Sequence, residues 1–228
     1  MTSALFLSRV RLRKDASVAT LRGIILTQDQ NQRVTNAHKL LWTLFADDAA
    51  RRRDFLWREA RPGEFYLLSG REPRDAHALF DLDPPKPFVP SLQAGDRLAF
   101  SLRANPTVAR KRGAAPGERG RRSDVVMDAI KPLPKGERAS PRQEAMQQAG
   151  ETWLRRQGER HGFSLERLRA DRYRILRPPH RQSRMQIATL DFDGVLSVTE
   201  PTDFIPALAK GFGRAKAYGC GLMLIRRA

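Results

Sequence analysis

The first regular pattern of hydrophobic and polar positions lies at residues 4–13, where an apolar run passes into alternation. Val10 and Leu12 fall on one side of this pattern, and arginines occupy the other side. Alternation with a period of two is typical of a strand that buries one face. We therefore expect a half-exposed strand at this position.

The next pattern has a helical period. Its apolar residues recur at the spacing i, i+3, i+4, i+7 and i+8, and they are Ala37, Leu40, Leu41, Leu44 and Phe45. This spacing predicts an amphipathic helix, with its N-cap at Thr35 or Asn36 and its end near residues 47–48.

Three segments are predicted after this helix. Strands are expected at 55–59 and 64–69, joined across a turn at 61–63 that contains proline and glycine. Residues 75–80 are expected to form a short helix or strand. The resulting order, β-α-β-β, is the start of a ferredoxin-like unit.

A cluster of prolines at residues 84–90 divides the chain. Proline removes backbone donors and stiffens the chain, which suits a linker between domains. We expect an N-terminal domain at 1–83, a linker at 84–95 and a C-terminal domain at 96–228.

The second half carries patterns of both periods. Strands are predicted at 98–104, 172–176, 185–190 and 195–198, helices at 141–157 and 204–210, and a short element at 163–169. Asp193 and Gly194 are a tight-turn signal between the last two strands. The basic stretch at 110–122 is rich in glycine and proline, and it is expected to have no order of its own. These patterns favour two α+β sandwiches over one large sheet.

Charge indicates the type of partner. The chain has 42 lysines and arginines against 25 aspartates and glutamates, a net charge of +17 and a pI near 11.2. Such a balance favours a nucleic-acid partner.

The single cysteine, Cys220, excludes a disulfide framework and a cysteine-based zinc site, and it suits a reducing compartment. Because no secretory signal and no apolar run of spanning length occurs, we expect a cytoplasmic protein with no membrane contact.

The segment at 211–221 combines glycines with two cations, Arg214 and Lys216. Glycine lets backbone N–H groups approach an anion closely, and the cations neutralise phosphate. The dinucleotide motif does not fit, because Lys216 stands where G-x-G-x-x-G requires glycine, and no P-loop run of Gly-Lys-Ser/Thr occurs. Two interpretations stay open, a loop for a longer anion and a tight turn.

Residues 191–196 match the D-x-D-G-x-L opening of haloacid-dehalogenase-like phosphatases. That fold needs a long chain after the motif, with a lysine and an acidic pair that holds Mg²⁺. No such acidic pair follows here, so a hairpin turn is the preferred interpretation.

Among the four histidines, His38 is the candidate for chemistry. It is expected in the first turn of the amphipathic helix, beside the apolar stripe. A helix N-terminus disfavours imidazolium, so the ring would be neutral near pH 7 and suited to proton transfer. A structural histidine is the alternative. Because no cluster of further histidines, cysteines or carboxylates accompanies it at ligand spacing, neither a metal site nor a cofactor is expected.

Four segments together resemble the CasE family, the precursor-CRISPR-RNA endoribonucleases of the type I-E Cascade complex. They are the initial strand, residues 36–42 on the first helix, residues 84–88 leading to Leu-Arg-Ala-Asn-Pro at 102–106, and the Gly-rich segment at 211–222. The resemblance spans nearly the whole chain in the right order. It implies an α+β fold of two ferredoxin-like, RRM-like domains in tandem.

The resemblance also implies a metal-independent cut at the base of a CRISPR repeat hairpin. In that reaction the RNA's 2′-hydroxyl attacks the adjacent phosphate and leaves a 2′,3′-cyclic phosphate and a 5′-hydroxyl. His38 matches the family's catalytic histidine and would act as general base or general acid. The chain departs from the family at Thr35, where tyrosine is frequent, and at Thr43, where some members have lysine. Stabilisation of the transition-state charge would then fall to Arg214, Lys216 or another arginine.

RNA contacts are expected on three basic segments. One corresponds to the family's hairpin in the second domain, one follows the Leu-Arg-Ala-Asn-Pro strand, and one is the Gly-rich loop. Their expected RNA-binding residues are Arg103, Arg110, Lys111, Arg112, Arg177, Arg181, Arg184, Gly213, Arg214 and Lys216.

The expected function is therefore that of an endoribonuclease that cleaves CRISPR repeat RNA and stays bound to the mature product. Its expected partners are the repeat stem-loop and the other Cascade subunits, and the isolated protein is expected to be a monomer. A non-catalytic RNA-binding scaffold of the same fold is the alternative.

Overall fold

The chain forms two compact units that interleave along the sequence. The computed structural model describes residues 4–15, 18–19, 22–23, 26–46, 52–110, 121–132, 134, 142–179 and 185–228. The first unit contains residues 1–91, 176–187 and 215–222, and the second contains residues 92–175, 188–214 and 223–228. Two segments expected in the C-terminal domain, 176–187 and 215–222, thus belong to the first unit.

The first unit is built on an antiparallel sheet. Its elements are β1 (Phe6–Leu12), α1 (Gln30–Trp42), β2 (Phe55–Arg61), β3 (Glu64–Ser69), β4 (Phe80–Leu82) and β5 (Lys86–Pro87). The strand order is β2-β3-β1-β4, and β5, which lies within the predicted linker, pairs with β1. The predicted β-α-β-β start is confirmed, and this order is that of a ferredoxin-like sheet.

Helix α1 packs one face onto this sheet. Ala37, Leu40 and Leu41 are buried in one hydrophobic core with Phe65 and Leu67 of β3. Complete burial of a large apolar side chain contributes about 1.5–3 kcal/mol. The packing therefore fixes the rotation of α1, and with it the directions of its remaining side chains.

The start of α1 differs from the predicted N-cap at Thr35 or Asn36. The N-cap is Asp29, whose carboxylate accepts a hydrogen bond from the backbone N–H of Asn31 at 2.8 Å. The first turn of the helix is polar, so the apolar period gave no signal there. Thr35 lies inside the helix, where its hydroxyl donates to the carbonyl of Asn31 at 3.1 Å.

Two short segments differ from their predictions, the end of α1 and the element expected at residues 75–80. Helix α1 ends at Trp42 and continues as a 3-10 turn over Thr43–Phe45, and the predicted end at 47–48 lies outside the described residues. The short element predicted to start at Asp75 is a turn. The carboxylate of Asp75 accepts a hydrogen bond from the backbone N–H of Phe80 at 2.6 Å, and strand β4 begins at Phe80.

The second unit has a sheet of the same order. Its elements are β6 (Arg97–Ala104), β7 (Thr107–Arg110), β8 (Arg121–Asp124), α2 (Val125–Ile130), α3 (Arg142–His161), β9 (Phe163–Leu176), β10 (Ile187–Val198), α4 (Pro201–Lys210) and β11 (Met223–Arg227). The sheet order is β11-β6-β10-β9, while β7 and β8 pair as a separate hairpin. Both sheets thus have their fourth strand beside the first and their third beside the second, which confirms the predicted α+β fold of two ferredoxin-like units.

The prediction of a turn at Asp193 and Gly194 is wrong. Both residues lie inside β10, opposite Ser101 and Phe100 of β6. A Cβ atom on Gly194 would lie 2.0 Å from the carbonyl oxygen of Arg167 in β9. The glycine therefore allows a close approach of two strands, which the sequence pattern does not distinguish from a reversal.

Other predictions for the second unit concern the length of its elements. The separate segments predicted at 163–169 and 172–176 form one strand of 14 residues, β9. The basic stretch at 110–122 begins and ends in the β7–β8 hairpin, and residues 111–120 lie outside the described part of the chain. Within the described residues, no helix is both long enough and apolar enough to cross a membrane.

Candidate active site

His38 lies in the middle of α1, not in its first turn, because the helix begins at Gln30. The helix N-terminus is therefore too far away to act strongly on the imidazole, since that effect falls off within the first turn. The imidazole ring is still expected to be neutral, but the cause is different. Burial and, to a smaller extent, the positive charge of Arg53 together lower the pKa of His38 to about 4.

Aromatic side chains surround the imidazole of His38. The indole Nε1–H of Trp42 donates a hydrogen bond to Nε2 of His38 at 3.3 Å. The ring of Trp57 is nearly parallel to the imidazole, with 6.5 Å between centroids, and the ring of Phe55 lies at 6.1 Å. An acceptor at Nε2 places the proton of the neutral ring on Nδ1.

Three buried polar atoms of this region have no hydrogen-bond partner among the described residues. They are Nδ1 of His38, Nη1 of Arg53 and Nε1 of Trp57. Buried polar groups without a partner are rare and cost about 1–3 kcal/mol each. In the neutral tautomer described above, all three are donors. Each of the three atoms is therefore a donor whose hydrogen bond is not made within the described residues.

The second part of the Gly-rich segment packs in the same unit as His38. It forms a 3-10 turn at Lys216–Tyr218, which is followed by Gly219 at a φ of 73°. A Cβ on Gly219 would lie 3.2 Å from the ring of Trp57, which itself faces His38. The segment therefore reaches the candidate catalytic residue through one shared aromatic ring.

The other predicted residues of this segment belong to the second unit. Gly213 has a φ of 72° and lies close to Asn105 and Trp153. Arg214 is exposed, whereas Lys216 is half-buried in the first unit. The predicted loop is thus divided between the two units at residues 214–215.

Two of the predicted RNA-binding arginines are engaged in ion pairs. Arg103 donates from Nε and Nη2 to the carboxylate of Asp191, at 2.6 and 2.8 Å. Arg110 donates to Asp128 at 2.7 Å, and its side chain is 53% exposed. Asp191, the first residue of the phosphatase-like motif, is therefore a buried ion-pair partner inside a sheet.

The predicted basic hairpin is only partly described. The backbone N–H of Arg177 donates to Oδ1 of Asn31 at 2.6 Å, which ties the end of β9 to the start of α1 within the first unit. Four predicted contacts lie outside the described residues, and they are Lys111, Arg112, Arg181 and Arg184.

The residues at the two departures from the family pattern have local roles. The hydroxyl of Thr35 bonds inside α1, and the hydroxyl of Thr43 donates to the carbonyl of Leu40 at 2.7 Å. Arg53, Trp42 and Trp57 were not predicted at the site. The four-residue spacing between His38 and Trp42 was a usable signal, because residues i and i+4 of a helix are neighbours.

Metal ligation has no candidate cluster in this part of the molecule. Within the described residues, no group of three or more histidine, cysteine, aspartate or glutamate side chains is placed to hold a metal ion.

Comparison with known proteins gives one relative by sequence and several by structure. The chain is 33% identical over 154 residues to the CRISPR-associated endoribonuclease Cse3 of Thermus thermophilus. The match covers 62% of this chain and 61% of the relative, so it spans about three fifths of that protein's length.

Two solved structures share the fold over the whole chain. Thermus thermophilus Cse3 bound to an RNA representing a pre-cleavage complex has a TM-score of 0.67 at 23% identity, covering 98% of this chain and 99% of that chain. Cas6e from Escherichia coli str. K-12 has a TM-score of 0.61 at 22% identity, covering 98% and 100%. At these identities the likeness establishes the fold.

The family itself is shown by a match to its sequence pattern. The family described as CRISPR associated protein matches residues 5–227, which is nearly the entire chain. The match agrees with the relative found by sequence and with the shared fold. The chain therefore belongs to this family of CRISPR-associated proteins.

Proposed function

We propose that this protein is an endoribonuclease that cleaves CRISPR repeat hairpins in precursor RNA without a metal ion. The observation that carries the proposal is His38, a half-buried imidazole that is neutral at pH 7 and lies among unpartnered donors. The sequence relative, named a CRISPR-associated endoribonuclease, supports the same activity.

The reaction needs one proton removed and one proton delivered. The 2′-hydroxyl oxygen attacks the adjacent phosphorus and loses its proton, the bond from phosphorus to the 5′-oxygen breaks, and that oxygen gains a proton. The products are a 2′,3′-cyclic phosphate and a 5′-hydroxyl. A neutral imidazole is the form that accepts a proton, so His38 acts as the general base. The atom of His38 that accepts the proton is Nε2. When the substrate binds, its 2′-hydroxyl replaces the indole N–H of Trp42 as the hydrogen-bond donor to this atom.

Arg53 stabilises the charge that develops on the phosphate oxygens. Its guanidinium is close enough to lower the pKa of His38, and its Nη1 is buried without a partner among the described residues. A fixed cation in a partly buried site stabilises a transition-state anion more strongly than the same cation in water. Burial lowers the pKa of Arg53 itself, yet a guanidinium keeps its proton at pH 7. Lys216, half-buried in the same unit, adds a second positive charge.

The RNA backbone is held by the basic residues expected from the sequence. Lys216 and Arg177 belong to the unit of His38, and Arg214 is exposed in the second unit. Arg110 contacts RNA with the N–H groups that Asp128 leaves unused, since a guanidinium has five donors. Arg103 is a further proposed contact. The remaining proposed contacts are Lys111, Arg112, Arg181, Arg184 and Gly213.

The proposal includes the cellular setting. The protein stays bound to the mature CRISPR RNA as a subunit of Cascade, acts in the cytoplasm and is a monomer in isolation. Its single cysteine is a buried thiol outside any disulfide, which fits a reducing compartment.

A non-catalytic RNA-binding scaffold is the second candidate. It is favoured by Thr35 and Thr43, which stand where relatives carry tyrosine or lysine and whose hydroxyls bond to the helix backbone. Incubation of the protein with a repeat hairpin RNA in EDTA separates the two functions. Cleavage to a product with a 2′,3′-cyclic phosphate, identified by mass spectrometry, supports the endoribonuclease. Tight binding with no cut over hours supports the scaffold.

A further inference from the structure

A cavity of about 700 Å³ lies in the second unit, between the β7–β8 hairpin and helices α2 and α3. Its volume is within the range of small-molecule sites, about 300–1,000 Å³. All its described lining residues belong to the second unit, whereas His38, Arg177 and Lys216 belong to the first. The cavity and the candidate active site therefore belong to different units.

Positive charge dominates the wall of this cavity. The described lining residues include four arginines and one carboxylate, Asp128, which leaves a net charge of +3. Asp128 pairs with Arg110 at 2.7 Å. The other three arginines are Arg122, Arg156 and Arg160, all of them exposed and without an ion-pair partner in the described part of the chain.

The two arginines of α3 lie on one face of the helix, because Arg156 and Arg160 are four residues apart. Their neighbour Arg155 is different. It donates to Glu151 at 2.7 Å and does not line the cavity. The cavity is therefore lined by two cations of this helix that have no ion-pair partner within the described residues, which suits a ligand that carries more than one negative charge.

The wall of the cavity also offers apolar surface and hydroxyl groups. Val125 and Trp153 are buried side chains that line it, and Val108 lies beside them. Thr107 and Thr152 add hydroxyls. A nucleotide combines an apolar base face with a charged phosphate, and it fits such a mixed surface. The bases of a duplex stem are stacked inside it, so only an unpaired nucleotide can place its base in the cavity.

We propose that this cavity binds single-stranded RNA that adjoins the hairpin, with phosphates on Arg156 and Arg160 and a base against the apolar wall. The inference rests on the proposed function, because it assumes that repeat RNA is the substrate. It adds a second contact area on the unit that does not carry His38. RNA with a single-stranded extension therefore binds more tightly than the bare hairpin.

The test compares three proteins on three RNAs. The RNAs are the repeat hairpin alone and the hairpin with an extension of about eight nucleotides on its 5′ side or on its 3′ side. The proteins are wild type, Arg156→Ala/Arg160→Ala, and the matched control Arg155→Ala/Arg169→Ala. Both control arginines are ion-paired, to Glu151 and Asp171, so the control removes equal charge outside the cavity.

We expect one extension to raise the affinity of wild type and of the control by about tenfold. The Arg156→Ala/Arg160→Ala protein loses this gain, and the slope of log K against log salt falls by about 1.4, at roughly 0.7 per phosphate contact on a single strand. If that variant and wild type bind the extended RNA with equal affinity, the inference is wrong. An acidic protein surface would then be the ligand class that fits the cavity. Failure of wild type to cut the bare hairpin contradicts the proposed function, whereas cutting without any gain from either extension contradicts only the cavity inference.

Discussion

Trp42 donates its indole N–H to Nε2 of His38 at 3.3 Å, one helical turn further along α1. Imidazolium has a proton on Nε2 and cannot accept this bond, so the contact stabilises only the neutral ring. Together with burial and Arg53, it keeps His38 in the form that accepts a proton. Trp42 is thus a positioning residue, which fixes the tautomer of the candidate base.

Trp42→Phe should raise the pKa of His38 by about 0.5–1 unit. The reason is that a hydrogen bond worth about 1 kcal/mol to the neutral form corresponds to roughly 0.7 of a pKa unit. NMR titration of the histidine ring signals measures the shift, and a His38→Asn protein identifies the signal of His38. Trp153→Phe, in the second unit, is the control and should leave that pKa in place. An unchanged pKa in Trp42→Phe would mean that the contact does not hold the neutral ring.

The stability of the protein should depend on pH through His38. Its pKa is about 4 in the folded chain and about 6.5 when unfolded, so the unfolded state binds more protons between these values. The contribution of His38 is therefore fully present above about pH 6.5 and is lost as the pH falls towards 4. Urea unfolding at pH 7 and pH 5 should show a larger loss for wild type than for His38→Asn. If the two proteins lose the same free energy of unfolding between pH 7 and pH 5, a group other than His38 is responsible for the pH dependence.

The pH dependence of cleavage should identify His38 as base or acid. At limiting RNA concentration the rate reports groups of the free protein. If His38 is a general base with a pKa of about 4, the cleavage rate increases as the pH is raised towards 5 and is constant between about pH 6 and 8. A rate that falls steadily between pH 5 and 8 would assign His38 to the acid role instead. His77→Ala, which changes an exposed histidine of the same unit, should leave the profile unaltered.

Gly219→Ala should slow cleavage more than Gly95→Ala. Both glycines have positive φ, 73° and 89°, so each substitution carries a similar backbone cost of about 1–2 kcal/mol. Only Gly219 has a neighbour that the new methyl group displaces, the ring of Trp57 at 3.2 Å, whereas a Cβ on Gly95 meets nothing within 4 Å. A shift of that ring misplaces His38, so we expect about 10–100-fold slower single-turnover cutting. If the two variants cut at equal rates, the packing of Gly219 on Trp57 does not affect catalysis.

Elements with a clear period were predictable from the sequence. Alternation around Val10 and the helical stripe around Leu41 both mark faces that are buried in the first core. The start of α1 was missed because its first turn is polar and is fixed by the cap at Asp29. Gly194 was misread because a close approach of two strands and a turn require the same residue.

The candidate site was only partly predictable. His38 was found through its helical position and the family resemblance, but the expected electrostatic cause was wrong, since burial and Arg53 lower its pKa. Arg53 precedes β2 and belongs to no periodic pattern, so nothing in the sequence connects it to α1. The membership of residues 215–222 in the first unit arises from long-range packing, such as that of Gly219 on Trp57.

The most direct test is single-turnover cleavage of the repeat hairpin in EDTA by wild type, His38→Ala and His77→Ala. We expect His38→Ala to cut about 10²–10⁴-fold more slowly, because general acid–base catalysis contributes that much, with little change in RNA affinity. His77→Ala should cut at the wild-type rate. Cutting by His38→Ala at the wild-type rate would contradict the account, since the neutral imidazole on α1 would then have no part in the reaction.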